Sequence, residues 1–291
     1  MSRSLAAETR GLINRFGLRA KKSLGQHFLI DRRVLYRIVS AAEVTAEDTV
    51  VEVGPGLGIL TRELAKRARK VIAVEADRGM ASAVREMLSG MANVSIIESD
   101  ILQADPASLL ATAGAEGTSP GYKVVANIPY YITSPILRHF LEASLKPSIM
   151  VIMLQKEVGE AIAAQPGKMS ILAVSVQFYG KPAIVGRVPS RSFYPPPKVD
   201  SVILRIKLYE QPPIKVSQTS KFFAVVRAGF SAPRKQLRNS LAQGLGVSPQ
   251  EAAVMLVRAM IDSRRRAETL GLDEWARLSE EVNDKDAQTQ G

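Results

Sequence analysis

The sequence predicts an α/β protein, a doubly wound and mostly parallel sheet followed by a small α-helical domain. Three observations carry this expectation. From residue 49 short β-branched runs alternate with helical stretches. A Gly-rich turn joins the first such run to a helix. Beyond the Gln211-Pro212-Pro213 break the chain turns basic and helical.

The strands are read, in order, at Thr49 to Val53, Lys70 to Glu75, Val94 to Ser99, Lys123 to Ala126 and Ile149 to Leu154. Leu60 to Ala68 continues from the Gly-rich turn as a helix. A further strand pair is expected at Ile171 to Tyr179 and Val202 to Leu208, flanking the loop Arg191 to Lys198, whose three successive prolines exclude it from a central strand. Candidate helices then follow at Phe222 to Phe230, Arg234 to Leu245, Pro249 to Met260 and Leu272 to Glu281. The domain reading is a basic N-terminal extension at 1–22, the sheet domain at 23–210, the helical domain at 211–282 and a polar tail at 283–291.

Composition narrows the class. A chain of 291 residues exceeds the usual size of one small domain, and 46% hydrophobic with 23% charged residues supports ordinary cores. No apolar run approaches the ~20 residues that span a bilayer, so the expectation is a cytoplasmic protein with no membrane partner. With no Cys and two His, disulfides and thiolate zinc sites are excluded, and no metal is expected. The net charge of +11 is concentrated: residues 161–250 hold 13 Lys and Arg against Asp200 and Glu210. Such a block suits a polyanionic partner, since each neutralised phosphate releases counterions.

The carboxyl ends of the strands locate a ligand site. Val50 to Gly58 runs from a buried strand into glycines Gly54, Gly56 and Gly58, whose backbone can pass close to a ligand. The nicotinamide fingerprint would need glycine at position 59, where Ile59 stands, so a dehydrogenase is disfavoured. Glu75 ends the second strand, where an acid accepts hydrogen bonds from ribose hydroxyls, and Asp100 follows the third. Together they describe a pocket for an adenosine-bearing cofactor.

The fourth strand runs into Asn127-Ile128-Pro129-Tyr130. An exocyclic adenine amine is a poor nucleophile because its lone pair is delocalised into the ring. The Asn127 side-chain oxygen and the Pro129 carbonyl offer two acceptors for it, and Tyr130 offers a face on which the base can stack.

Leu24 to Leu29, Glu52 to Gly58, Asn127 to Tyr130, Phe193 to Ser201 and Phe230 to Leu241, taken together, closely resemble the ribosomal RNA adenine dimethyltransferase family, and within it the small-subunit branch. The resemblance spans roughly residues 20 to 270 in order. It implies a Rossmann-like methyltransferase domain and a helical RNA-facing domain. It also implies transfer of methyl groups from S-adenosylmethionine to N6 of two adjacent adenosines in the hairpin near the 3′ end of 16S rRNA, during small-subunit biogenesis. By the family's motifs, His27, Leu29, Gly54, Gly56, Glu75, Asp100 and Asn127 fall at cofactor-contact positions. Asn127, Pro129, Tyr130 and Phe193 fall around the target adenine, with Tyr130 and Phe193 as its two flanking rings. Arg227, Arg234, Lys235 and Arg238 fall in the RNA-facing domain, in a stretch without acids. The chain departs from the family near Ala161, at Met169-Ser170-Ile171 and at His27, where relatives often carry Asn. The implied partner is 16S rRNA or the immature small subunit, with a monomer and no obligate protein partner. Two alternatives stay open: a large-subunit rRNA adenine methyltransferase of the antibiotic-resistance type, and a non-catalytic RNA-binding assembly factor.

Overall fold

The computed structural model describes residues 4–18, 26–114, 121–128 and 132–282. Pro129 and Tyr130 lie outside the described residues, as does the tail 283–291. Contacts divide the chain into two units, Met1–Gly159 with Ala183–Leu208, and Glu160–Pro182 with Tyr209–Gly291.

The first unit opens with α1 (Leu5–Arg15), β1 (Phe28–Leu29) and α2 (Arg32–Ala41). Ser4 and Asp31 cap the two helices by accepting backbone N–H bonds from Ala7, and from Arg33 and Val34. The N-terminal extension is therefore partly a packed element: Leu5 and Thr9 are buried, and Leu12 and Ile13 pack on the core of the sheet unit. Then come β2 (Thr49–Val53), α3 (Ile59–Ala65), β3 (Lys70–Glu75), α4 (Arg78–Met87), β4 (Val94–Glu98), α5 (Pro106–Thr112), β5 (Tyr122–Asn127), α6 (Thr133–Leu141), β6 (Ile149–Gln155) and α7 (Lys156–Ile162). The five strands anticipated from residue 49 form with bounds shifted by no more than one residue. Every residue of β2 is buried, as befits a central strand covered on both faces.

After α8 (Ile171–Tyr179) the chain forms β7 (Gly180–Val188), β8 (Phe193–Tyr194) and β9 (Ser201–Leu208). The main sheet has the order β4-β3-β2-β5-β6-β9-β7. Strands β2 to β6 pair in parallel, while β9 runs antiparallel to β6. The order runs outward from β2 to β4 on one side and from β5 to β6 on the other. The switch point therefore lies between β2 and β5, with Val53 paired to Ala126 at their carboxyl ends. β1 and β8 form a separate two-stranded ladder.

One expected strand is a helix. Ile171 to Tyr179 forms α8, begun by Ser170, whose hydroxyl accepts from Ala173 N–H. The alternation Val174-Ser175-Val176-Gln177-Phe178 favours a strand, while the Ser170 cap before it favours a helix. Tertiary packing decides it. Ala173, Val174 and Phe178 are buried in the core of the second unit, and the Phe178 ring centroid is 4.9 Å from that of Phe222. The same packing assigns residues 160–182 to the second unit, although the sequence reading joined them to the sheet domain.

The second unit continues with α9 (Thr219–Gly229), α10 (Leu237–Leu245), α11 (Pro249–Arg258) and α12 (Leu272–Glu281), close to the four helices anticipated. A Cβ on Gly244 would lie 2.4 Å from the Ala228 Cα, so α9 and α10 approach at backbone distance. Buried Trp275 stacks beside Phe230 at 5.5 Å. Its indole N–H has no hydrogen-bond partner among the described residues.

Candidate active site

The carboxyl ends of β2, β3, β4 and β5 open onto one cavity of about 430 Å³ in the sheet unit, within the range of roughly 300–1,000 Å³ typical of small-molecule sites. It brings together His27, Leu29, Glu75, Asp100, Asn127 and Phe193 with the turn through Gly54 and Gly56.

The turn needs glycine for two different reasons. Gly54 and Gly56 have φ of 68° and 54°, in the left-handed region that side chains avoid, and a Cβ on Gly54 would meet no neighbour within 4 Å. Both border the cavity. Gly58, at φ 67°, instead faces a packed core: its Cβ would sit 2.7 Å from a Val84 methyl. The third glycine thus serves the docking of α3 on α4.

Glu75 is fixed by the backbone around it. Its Oε1 accepts from Asp77 N–H at 3.0 Å, and its Oε2 lies 3.4 Å from Gly56 N–H. Burial raises its pKa above the usual carboxylate value, and these N–H groups oppose the rise. Each oxygen keeps a lone pair for a ligand. Asp100 caps the short 3-10 turn Ile101–Gln103 through Leu102 N–H at 3.0 Å, so it combines a structural bond with a place on the cavity wall.

Asn127 is the last residue of β5. Its Nδ2 donates to the His27 carbonyl at 3.3 Å, which fixes the carboxamide and leaves Oδ1 as the acceptor without a partner among the described residues. The β1–β8 ladder closes the same wall. Leu29 pairs with Phe193 and Phe28 with Tyr194, while Ile30 N–H donates to the Ser192 carbonyl at 2.8 Å. His27 Nδ1 lies 2.7 Å from the Pro195 carbonyl, and its ring meets buried Phe193 edge-on at 6.5 Å.

Glu52 is a cavity residue that the sequence reading left out of the site. Its Oε2 is fully buried with no hydrogen-bond partner among the described residues. Burial pushes its pKa up to about 8, the Glu75 charge adds to the rise, and the nearby Thr61 hydroxyl opposes it. A carboxyl standing between Val51 and Val53 in a buried strand was the available signal, because unpaired acids are seldom placed there without use. An unsatisfied buried acceptor, a cradle of left-handed glycines and acids after the next two strands fit a cofactor with a cationic end and a hydroxyl-bearing sugar.

The second unit holds the four cations named from sequence. Arg227 lies in the last turn of α9, Arg234 and Lys235 lie between α9 and α10, and Arg238 lies in the first turn of α10. All four are exposed, and none has an ion pair among the described residues.

Fold and cavity define an α/β Rossmann-like methyltransferase. The family model for ribosomal RNA adenine dimethylase matches residues 17–284, and the chain belongs to that family. It is 50% identical over 275 residues to ribosomal RNA small subunit methyltransferase A of Dehalococcoides mccartyi, covering 94% of this chain and 92% of the relative. The protein of the same description from Moorella thermoacetica is 46% identical, covering 93% and 95%. Among solved structures, the 23S rRNA methyltransferase ErmE superposes with a TM-score of 0.69 at 30% identity, covering 87% of this chain and 98% of that one. A dimethyladenosine transferase from Plasmodium falciparum gives 0.73 at 26% identity, covering 87% and 96%.

Proposed function

We propose that this protein dimethylates N6 of two adjacent adenosines in the hairpin near the 3′ end of 16S rRNA, using S-adenosylmethionine, as the small ribosomal subunit matures in the cytoplasm. The observation that carries the reading is the Asn127 carboxamide, tied through Nδ2 to the His27 carbonyl and presenting Oδ1 beside the Gly54–Gly56 cradle, Glu75 and Phe193. The 46–50% identity to small-subunit enzymes supports the choice of subunit over the large-subunit alternative.

In this reading Gly54 and Gly56 let the backbone approach the cofactor, Glu75 accepts from its ribose hydroxyls and Asp100 from its adenine amine. Leu29 and His27 line its amino-acid end, with Glu52 as an acceptor for its cationic group. When bound, the cofactor supplies an electrophilic methyl group. Asn127 Oδ1 and the Pro129 carbonyl accept hydrogen bonds from the target amine, which draws its lone pair out of the ring and holds it in line for attack. The product ammonium then releases its proton to water. Phe193 and Tyr130 flank the extruded base, which a closed helix would hide. Arg227, Arg234, Lys235 and Arg238 take RNA phosphates.

The test is mass spectrometry of rRNA nucleosides after incubation with S-adenosylmethionine and subunits lacking the modification. Two dimethyladenosines in the 3′-terminal hairpin of 16S rRNA are expected. Methylated adenine in large-subunit RNA alone would move the protein to the other branch, and no product on either would overturn the catalytic reading.

A further inference from the structure

We propose that Arg10 of α1, seated over the Tyr194 ring beside Phe193, binds an RNA phosphate flanking the extruded adenosine, which makes the N-terminal helix an RNA-positioning element of the catalytic unit. The inference rests on the proposed function and deepens it.

The charges of α1 are disposed unequally. Its single acid, Glu8, is engaged by Arg32 and Arg62, and Arg15 pairs with Glu86 at 3.2 Å. Arg10 is exposed and has no carboxylate partner among the described residues. Its Cζ lies 5.8 Å from the centroid of the Tyr194 ring, close enough for a cation–π contact. The helix that carries it is fixed by its Ser4 cap, by buried Leu5 and Thr9, and by the Glu8 bridges to α2 and α3. Arg10 is thus a restrained cation on a rigid support rather than a free side chain on a solvated face.

Its place is set by the β1–β8 ladder. Successive side chains of a strand point to opposite sides. Phe193 turns inward to the cavity and is 3% exposed, while Tyr194 turns outward and is 42% exposed. A base laid on Phe193 enters the cavity with its Watson–Crick edge, but the phosphates on either side of that nucleotide must stay outside, on the side of Tyr194. A guanidinium held there by an aromatic face keeps its N–H groups for a phosphate, which it engages as a fork. Arg191 and Lys198 extend the basic rim on the same loop, both exposed and without carboxylate partners among the described residues.

The experiment uses the full chain. Methylation of small subunits lacking the modification is followed for wild type, Arg10→Gln and Arg10→Lys at several salt concentrations, with S-adenosylmethionine binding measured separately without RNA. Arg10→Gln is expected to raise the KM for the subunit several-fold and to reduce the slope of log affinity against log salt by about 1, one phosphate contact. The kcat, the cofactor affinity and the melting temperature stay at wild-type values, and Arg10→Lys recovers the salt slope but only part of the affinity. An unchanged KM and slope in Arg10→Gln, with wild type active, would overturn the proposal alone. A change confined to melting temperature or cofactor affinity would reduce Arg10 to a structural role. Absence of methylation by wild type would instead remove the functional reading and the proposal with it.

Discussion

Leu29 stands directly opposite Phe193 in the β1–β8 ladder, so a two-strand pairing between distant parts of the chain sets the cofactor-side wall against the base-side wall. Phe193 is buried there against the His27 ring. Phe193→Ala removes both packing and a stacking face, with a stability loss of about 3–5 kcal/mol. Phe193→Leu separates the two: it keeps most of the volume, at about 1–2 kcal/mol, and loses the aromatic face. Stacking is worth about 1–3 kcal/mol per base, so kcat/KM for the RNA is expected to fall about tenfold to a hundredfold in Phe193→Leu. Thermal melting and single-turnover methylation check the pair, and an active Leu variant would remove the ring from the base pocket.

Asn127 offers a cleaner dissection, because its carboxamide makes one structural bond, to the His27 carbonyl. Asn127→Ala forfeits that bond, a loss of about 1 kcal/mol, and removes the acceptor aimed at the amine. A fall of two orders of magnitude or more in kcat is expected, by analogy with the roughly 10²–10³ attached to a single preorganised transition-state group. RNA affinity should hardly move. Wild-type turnover by this variant would refute the assigned role.

The buried Glu52 makes stability depend on pH in a definite sense. Burial pushes its pKa up to about 8 in the folded protein, against about 4.5 for a free glutamate, so the fold binds the proton more tightly than the unfolded chain does. Its contribution is fully present below about pH 4.5 and is lost as the pH rises through 8, with an upper bound on the order of 5 kcal/mol. Glu75, raised in the same direction by burial, adds to the trend. Glu52→Gln has no such charge to bury. Denaturant unfolding of the cofactor-free protein between pH 5 and 9 should show a steeper decline for wild type than for the variant, and parallel curves would place the raised pKa elsewhere.

Much of the catalytic unit was legible because its signals are local. The strand ends at Glu75 and Asn127 fall where the β-branched runs stop, and the acids Glu75 and Asp100 at the ends of two successive strands need no tertiary knowledge to find. What escaped depended on distant partners. The α8 segment alternates apolar and polar residues from Val174 to Phe178, and the rings of Phe222 and Phe223 against Phe178 place it as a helix of the second unit. The β1–β8 ladder is too short to leave a periodic trace, and the α1 helix reads as a charged extension until Leu5 and Thr9 are seen to be buried. Glu52 shows its role only once its Oε2 is seen to be buried in the cavity without a hydrogen-bond partner among the described residues.

The glycines of that motif should separate by experiment. Gly54→Ala meets no neighbour, so the expected loss is the left-handed backbone penalty of about 1–2 kcal/mol, accompanied by weakened cofactor binding. Gly58→Ala carries the same penalty and drives a Cβ to 2.7 Å from Val84. Overpacking adds about 1–3 kcal/mol. Chemical unfolding and cofactor titration should therefore rank Gly58→Ala as the less stable variant and Gly54→Ala as the weaker binder among molecules that remain folded. The reverse order would exchange the two roles.

Arg234 and Arg238 are exposed and unpaired among the described residues, on either side of the start of α10. Both side chains are exposed, so replacing either by Ala should keep stability within about 0.5 kcal/mol of wild type. If each neutralises one phosphate, each substitution reduces the salt slope of RNA binding by about 1, and the double variant by about 2. Affinity should fall equally for methylated and unmethylated RNA, because phosphate contacts carry no information about the target amine. A variant that lost discrimination between the two RNAs while keeping the salt slope would show that these side chains read the target rather than hold the backbone.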